Sequence, residues 1–294
     1  GGRGGGSTVL SMRLITGLLL LVVAIGLLWL DEWMATVDFG EAPLPRGIVL
    51  LLLCMFASIF AAIELSLIAA ASGRRPAVAL VVAGCWALLL TIWSNTPDSA
   101  NGTIGWPLSV IAAAWFGSLL VYTRGKRTDG VFADAAVSTT TIIYIGGFLG
   151  FYLLLRQDVS AWWILAVILI TKSCDIGAYF TGMSIGRHKL IPWLSPGKTV
   201  EGFVGGIVLA MIVAVIANWL LASEGYTALP VGMALLLGLL LAVFGQAGDL
   251  CMSLLKRDAG IKDSSAILPG MGGVMDVLDS ILLAAPIAWL MLAA

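Results

Sequence analysis

The sequence predicts an all-α, polytopic integral membrane protein with about nine transmembrane helices. Composition, the length of the apolar runs and the placement of the charges lead to that fold class. The chain of 294 residues is 60% hydrophobic and 11% charged, with a mean hydropathy of +1.03, far above soluble domains. Apolar runs of about 17 to 25 residues recur along it, each long enough to cross a bilayer as a helix. They are continuously apolar rather than alternating, which favours helices over a barrel, the other structure that satisfies its own backbone in lipid.

Residues 1–12, opening Gly-Gly-Arg-Gly-Gly-Gly-Ser, read as a flexible leader. The run from Leu14 to Leu30 lacks a small-residue cleavage pattern before Asp31, Glu32 and Trp33, so it is the first span. Spans follow at about 47–72, 77–93, 104–122, 134–155, 161–181, 203–222, 229–247 and 277–293, after the first at 13–30. Residues 13–160 form an N-terminal transmembrane region, and 161–294 a C-terminal one holding two polar loops. Cys54, Cys85, Cys174 and Cys251 show no CxxC spacing, so neither a disulfide framework nor a zinc site is expected. The tryptophans near span ends, among them Trp29, Trp33, Trp106 and Trp219, read as interfacial anchors.

Sidedness follows from Lys and Arg, which accumulate in cytoplasmic loops. With a cytoplasmic N-terminus, Arg3, Arg13, Arg74, Arg75, Arg124, Lys126, Arg127, Arg187, Lys189, Lys198, Lys256, Arg257 and Lys262 all fall inside, 13 of the 16. Arg46 and Arg156 fall outside, and Lys172 lies within a span. The outer loops carry Asp31, Glu32, Asp38, Glu41, Asp98, Asp158 and Glu224 without clustering. A net charge of -1 gives no reason to expect nucleic acid as a partner.

Two inner loops, Gly182 to Gly202 and Gln246 to Asp276, are longer and more polar than the rest. Asp249, Ser253 and Lys256 are spaced i, i+4, i+7 and share a face if the eighth span continues as helix. Asp276 and Asp279 form an i, i+3 pair at the start of the last span. Carboxylates at helix ends beside Lys256, Arg257 and Lys262 suit Mg²⁺ held by a few carboxylates and substrate phosphates. An amphipathic loop whose acids favour a helix N-terminus fits the same spacing equally well. In the other loop, Ser195, Lys198 and Thr199 beside glycines at a helix start are sensible phosphate contacts, without Walker A spacing; a simple helix-start turn explains them too.

Lys172 and Asp175 lie i, i+3 inside an apolar span, where ionisable groups are costly and face a cavity or a partner. Glu64, a lone acid in the second span, reads either as a partner for Lys172 or as a site residue. His188, between Arg187 and Lys189, reads as a solvated loop residue.

At these residues the chain resembles the phosphatidate cytidylyltransferases, the CDP-diacylglycerol synthases. The resemblance runs through Ser253, Lys256, Arg257, Lys262, Asp263, Ser265, Leu268, Pro269, Gly272, Gly273, Asp276 and Asp279. The stretches from Asp175 to Gly182 and from Leu190 to Gly202 resemble the family as well. Where the family has His before Gly-Gly this chain has Met271, and where it has Arg after the metal-binding Asp it has Val277. Met donates no hydrogen bond and Val offers no phosphate fork, so both departures imply a locally rebuilt pocket.

The resemblance implies that a phosphatidate oxygen attacks the α-phosphorus of CTP, giving CDP-diacylglycerol and pyrophosphate. It makes 161–294 the catalytic region, with two Mg²⁺ ions, Asp249 and Asp276 as metal ligands and Asp279 close by. It assigns phosphate contacts to Lys256, Arg257 and Lys262, nucleotide or headgroup contacts to Ser195, Lys198 and Thr199, and the cavity floor to Asp175; Asp263 belongs to the same run. It further implies a multi-pass protein of the bacterial cytoplasmic membrane and a homodimer. A polyprenol kinase or CDP-archaeol synthase would be another CTP-dependent enzyme, whereas a transporter would use Lys172, Asp175 and Glu64 without catalysis. The absence of an obvious internal repeat weighs against the transporter.

Overall fold

The computed structural model describes residues 4–37, 45–94, 105–124, 128–265 and 267–293. Arg3, Asp38, Glu41, Asp98, Lys126 and Arg127 lie outside the described residues, as do the side chains of Arg13 and Arg124. The helices are α1 (Gly4–Met34), α2 (Ile48–Ala71), α3 (Val78–Ser94), α4 (Gly105–Arg124), α5 (Val131–Ile142), α6 (Phe148–Asp158), α7 (Ala161–Ile185), α8 (Val200–Ser223), α9 (Val231–Asp258) and α10 (Val274–Leu292). A π-helical turn, Ile143–Gly147, joins α5 to α6.

The chain is an all-α polytopic membrane protein. Among the described residues, eight helical stretches are long and apolar enough to cross a membrane, with Val131–Asp158 counted as one, and α3 is a shorter apolar helix of 17 residues. α1 starts at Gly4, within the segment read as a leader, and α9 continues to Asp258 rather than ending near residue 247. That continuation puts Asp249, Ser253 and Lys256 in one helix, as their spacing requires.

The chain divides into two compact units, Gly1–Leu154 with Asp258–Val277, and Leu155–Arg257 with Leu278–Ala294. The segment Asp258–Val277 belongs to the first of these units. In the first unit, buried acids hold the starts of helices. Asp31, 2% exposed at the end of α1, accepts from the Val49 and Leu50 amides at 3.0 and 3.2 Å, in the first turn of α2. Asp134 of α5 accepts from the Arg75 amide at 3.1 Å, and the Tyr122 hydroxyl donates to the Arg75 carbonyl at 2.6 Å, fixing the turn into α3. The π turn sets Gly146 against the backbone of Cys85, where a Cβ would stand 3.1 Å from the Cys85 Cα.

In the second unit, α7 and α8 pack closely because their glycines leave room for backbone contact. A Cβ on Gly206 would stand 2.6 Å from the Cys174 carbonyl oxygen. Between these helices lies a small antiparallel hairpin, β1 (Lys189–Ile191) with β2 (Ser195–Thr199), pairing Lys189 with Thr199 and Ile191 with Ser195. Thr199 ends β2 and caps α8, its hydroxyl accepting from the Gly202 amide at 3.1 Å. The cap fixes the direction in which the preceding residue, Lys198, leaves the strand.

Candidate active site

Within the second unit, four elements bring polar side chains together. Lys172 and Asp175 come from one face of α7, Lys198 from β2, Gln246 and Asp249 from α9, and Asp279 and Ser280 from α10. The Lys198 ammonium donates to the Gln246 amide oxygen at 2.7 Å and is ion-paired with the Asp249 carboxylate. The Gln246 amide nitrogen donates to Asp175 Oδ1 at 3.1 Å. Asp175 Oδ2 lies 3.7 Å from the Lys172 ammonium, which donates to the Ser280 hydroxyl at 2.7 Å. A continuous chain of polar contacts thus runs from Asp249 to Ser280.

The four charged side chains of that chain are between 21% and 40% exposed. Asp279 is different: it is 4% exposed, its Oδ1 accepts from the Ser280 amide at 2.6 Å, and it lies in the field of Lys172, Asp249 and Asp175. Its backbone is just as confined, because a Cβ on Gly248 would overlap the Asp279 carbonyl oxygen.

The first unit holds a second arrangement. Asp276, in the first turn of α10, accepts through Oδ2 from the Ser264 amide (3.1 Å), the Ser264 hydroxyl (2.8 Å) and the Gly273 amide (2.9 Å). Pro269 to Gly272 turn on backbone bonds: the Leu268 amide donates to the Gly272 carbonyl at 2.8 Å, and the Met271 and Gly272 amides to the Leu268 carbonyl at 3.0 and 3.1 Å. Gly270 and Gly272 take φ of 78° and 97°, conformations open to glycine. The turn therefore closes without help from the side chain at 271, and Met271 in place of His leaves it intact.

Glu64 corrects one expectation. It is not the partner of Lys172; its carboxylate is wholly buried and is met by the Ser264 and Ser265 hydroxyls and the Val274 and Met275 amides. The remaining residues are more open. Arg257, Lys262 and Asp263 are exposed, Lys256 and Ser195 half-buried, and Thr199 is buried with its hydroxyl engaged as the α8 cap. His188 is exposed, as read from the sequence, and its ring nitrogen Nδ1 lies 2.6 Å from Glu201 Oε1, while Glu201 also accepts from the Arg187 amide at 3.1 Å. Sequence reasoning missed Gln246 and Ser280, whose neutral side chains carry no signal in an apolar run; only the tertiary pairing reveals them.

Among the described residues, no group of three or more His, Cys, Asp or Glu side chains is placed to hold a metal ion by itself. The arrangement in the second unit is instead one of ammonium groups paired with carboxylates. The sequence matches the model of the cytidylyltransferase family over residues 11–294. The chain belongs to the cytidylyltransferase family. It is 37% identical over 209 residues to the phosphatidate cytidylyltransferase of Staphylococcus haemolyticus, covering 70% of this chain and 77% of that protein. It is 41% identical over 177 residues to the phosphatidate cytidylyltransferase of Bacillus subtilis, covering 60% of this chain and 64% of the relative. A third, from Staphylococcus aureus, is 39% identical over 182 residues, covering 61% and 66%. Family membership makes the chain a nucleotidyltransferase.

Proposed function

We propose that this chain transfers the cytidylyl group of CTP to phosphatidate, forming CDP-diacylglycerol and pyrophosphate for phospholipid synthesis in a bacterial cytoplasmic membrane. The observation that supports it most is the polar chain linking Asp249, Lys198, Gln246, Asp175, Lys172 and Ser280 inside an apolar helical unit. In the reaction, a phosphate oxygen of phosphatidate bonds to the α-phosphorus of CTP. The bond from that phosphorus to the oxygen bridging it to the β-phosphate breaks, and its electron pair leaves with pyrophosphate.

The attacking phosphate is already anionic at neutral pH, so no side chain has to remove a proton. Alignment and charge neutralisation supply the acceleration. Lys198 is the group suited to this: its ammonium is held by Asp249 and Gln246 and can exchange those acceptors for a nucleotide phosphate. Lys172 balances Asp175 and keeps that carboxylate ordered beside the reacting phosphates. Lys256, Arg257 and Lys262 are the further proposed phosphate contacts, with Ser195, Thr199 and Asp263 contributing to substrate binding through the segments they occupy.

Oxygen donors suit a hard cation, and Mg²⁺ is commonly held by one or two carboxylates together with substrate phosphates. Asp249, which already faces a cationic group, and Asp276 fit that donor chemistry and are the proposed ligands, with Asp279 in support. Two ions and a homodimer belong to the same proposal, on the strength of the family resemblance. When bound, Mg²⁺ supplies neutralisation of phosphate charge. The test is to supply the purified protein with CTP, Mg²⁺ and phosphatidate. CDP-diacylglycerol and pyrophosphate are the expected products, and release of CDP instead would identify a kinase.

A further inference from the structure

We propose that Glu64 is a positioning residue for Asp276, its carboxylate acting as the template on which the Ser264–Met275 segment is folded. This rests on the proposed role of Asp276 as a metal ligand. Glu64 lies in the C-terminal half of α2, two hundred residues ahead of the segment it binds, and is 0% exposed. A buried carboxylate is costly unless donors surround it, and here each oxygen has two donor groups within hydrogen-bond distance, one of them shared with Asp276. Oε1 accepts from the Ser265 hydroxyl at 2.7 Å and the Val274 amide at 2.9 Å. Oε2 accepts from the Ser264 hydroxyl at 2.9 Å and the Met275 amide at 2.8 Å.

Two of those donors are amides of the first turn of α10, which lack partners within the helix and carry the positive end of its dipole. Asp276 occupies the next position in that turn, so the contacts that hold Val274 and Met275 also fix the base of the Asp276 side chain. The link is tighter still at Ser264. Its hydroxyl lies 2.9 Å from Glu64 Oε2 and 2.8 Å from Asp276 Oδ2, yet a hydroxyl has one hydrogen to give. A hydroxyl turned toward Glu64 leaves Asp276 Oδ2 with one donor fewer and more able to face a cation.

The sequence carries the mark of this packing. A Cβ on Gly273 would overlap both the Ser264 hydroxyl and the Glu64 carboxylate, and one on Gly272 would stand 2.6 Å from Asp276 Oδ2. The Gly272-Gly273 pair is therefore the space into which the two carboxylates fit. Nothing in α2 itself requires an acid at this position, since an apolar residue would complete the buried face of the helix.

The test uses the full chain in lipid nanodiscs, with Glu64→Gln as the main variant and Gly273→Ala as a second that keeps Glu64 but fills its space. Amide hydrogen exchange over 264–276 is followed as Mg²⁺ is added without substrate, and kcat and KM are measured in parallel. In Glu64→Gln, protection of the Val274 and Met275 amides should fall, and the Mg²⁺ concentration for half-maximal protection and for half-maximal activity should both rise about tenfold or more. KM for the lipid should not change. Gly273→Ala should shift the Mg²⁺ midpoint in the same direction, and it decides the matter if Glu64→Gln does not fold. An unshifted Mg²⁺ midpoint in a folded variant, with only the thermal midpoint lowered, would make Glu64 a structural staple and overturn the proposal. If the wild type forms no CDP-diacylglycerol but Glu64→Gln still shifts the exchange midpoint, the proposed function fails while the positioning role stands.

Discussion

The Lys198 ammonium meets a neutral acceptor, Gln246, and an ionic one, Asp249, and its side chain is 21% exposed. On the proposed function, that ammonium would exchange its acceptors for an incoming phosphate, and Asp249 would be one of the residues to hold Mg²⁺. Lys198→Met keeps the length of the side chain and removes the charge. It should lower kcat/KM for CTP by about a hundredfold or more, while leaving the thermal midpoint close to that of the wild type. Steady-state kinetics against CTP at saturating lipid checks this, and unchanged kcat/KM would remove Lys198 from the reaction. Lys198 stood out beside Gly197 and Thr199, either as a phosphate contact or as part of a helix-start turn, and Thr199 does cap α8. Gln246 was not, because a single amide in an apolar helix resembles a tolerated polar residue until Lys198 and Asp175 are seen to bind its two ends. Glu64 was visible as a lone acid, read as a partner for Lys172 or as a site residue; its donors lie too far along the chain for any periodicity to connect them.

At the scale of elements, continuity of helix decides what the spacings mean. Asp249, Ser253 and Lys256 share a face only because α9 continues through its polar end to Asp258. Apolar runs located the helices well and their polar ends poorly, since hydropathy stops where charges begin while backbone hydrogen bonding does not. The hairpin was illegible for another reason: strands of three and five residues containing Pro196 give no alternation to read. The contact of α7 with α8 is closest where glycines meet backbone, so Gly206→Leu should force the helices apart. Overpacking of this kind costs about 1–3 kcal/mol and should lower the thermal midpoint. Gly197→Ala, where a Cβ would meet nothing within 4 Å, should leave that midpoint in place. Equal midpoints for the two variants would show that the α7–α8 contact does not depend on close approach.

At the scale of the whole molecule, the membrane sorts the charges. A cytoplasmic N-terminus, the orientation proposed from the sequence, would put thirteen of the 16 Lys and Arg residues and both polar loops on the inner side of the spans. Lys189 and Lys262 are exposed, one in each polar loop, whereas Cys54, Cys85 and Cys174 are buried. With Cys251 replaced by Ser, cysteines at 189 or 262 should react with an impermeant maleimide in inside-out vesicles and not in right-side-out ones. The reverse pattern would invert the topology. The fold class and the family were readable because both rest on long, locally written patterns; the pairing of Glu64 with its loop and the Lys198 network depend on contacts that only folding creates. The most direct measurement follows the α-phosphate of CTP: with label at that position, Mg²⁺ and phosphatidate, wild-type protein should move label into lipid, and Asp249→Asn should lose at least about 99% of that transfer. Absence of labelled lipid with the wild type, or equal labelling by Asp249→Asn, would contradict the assignment.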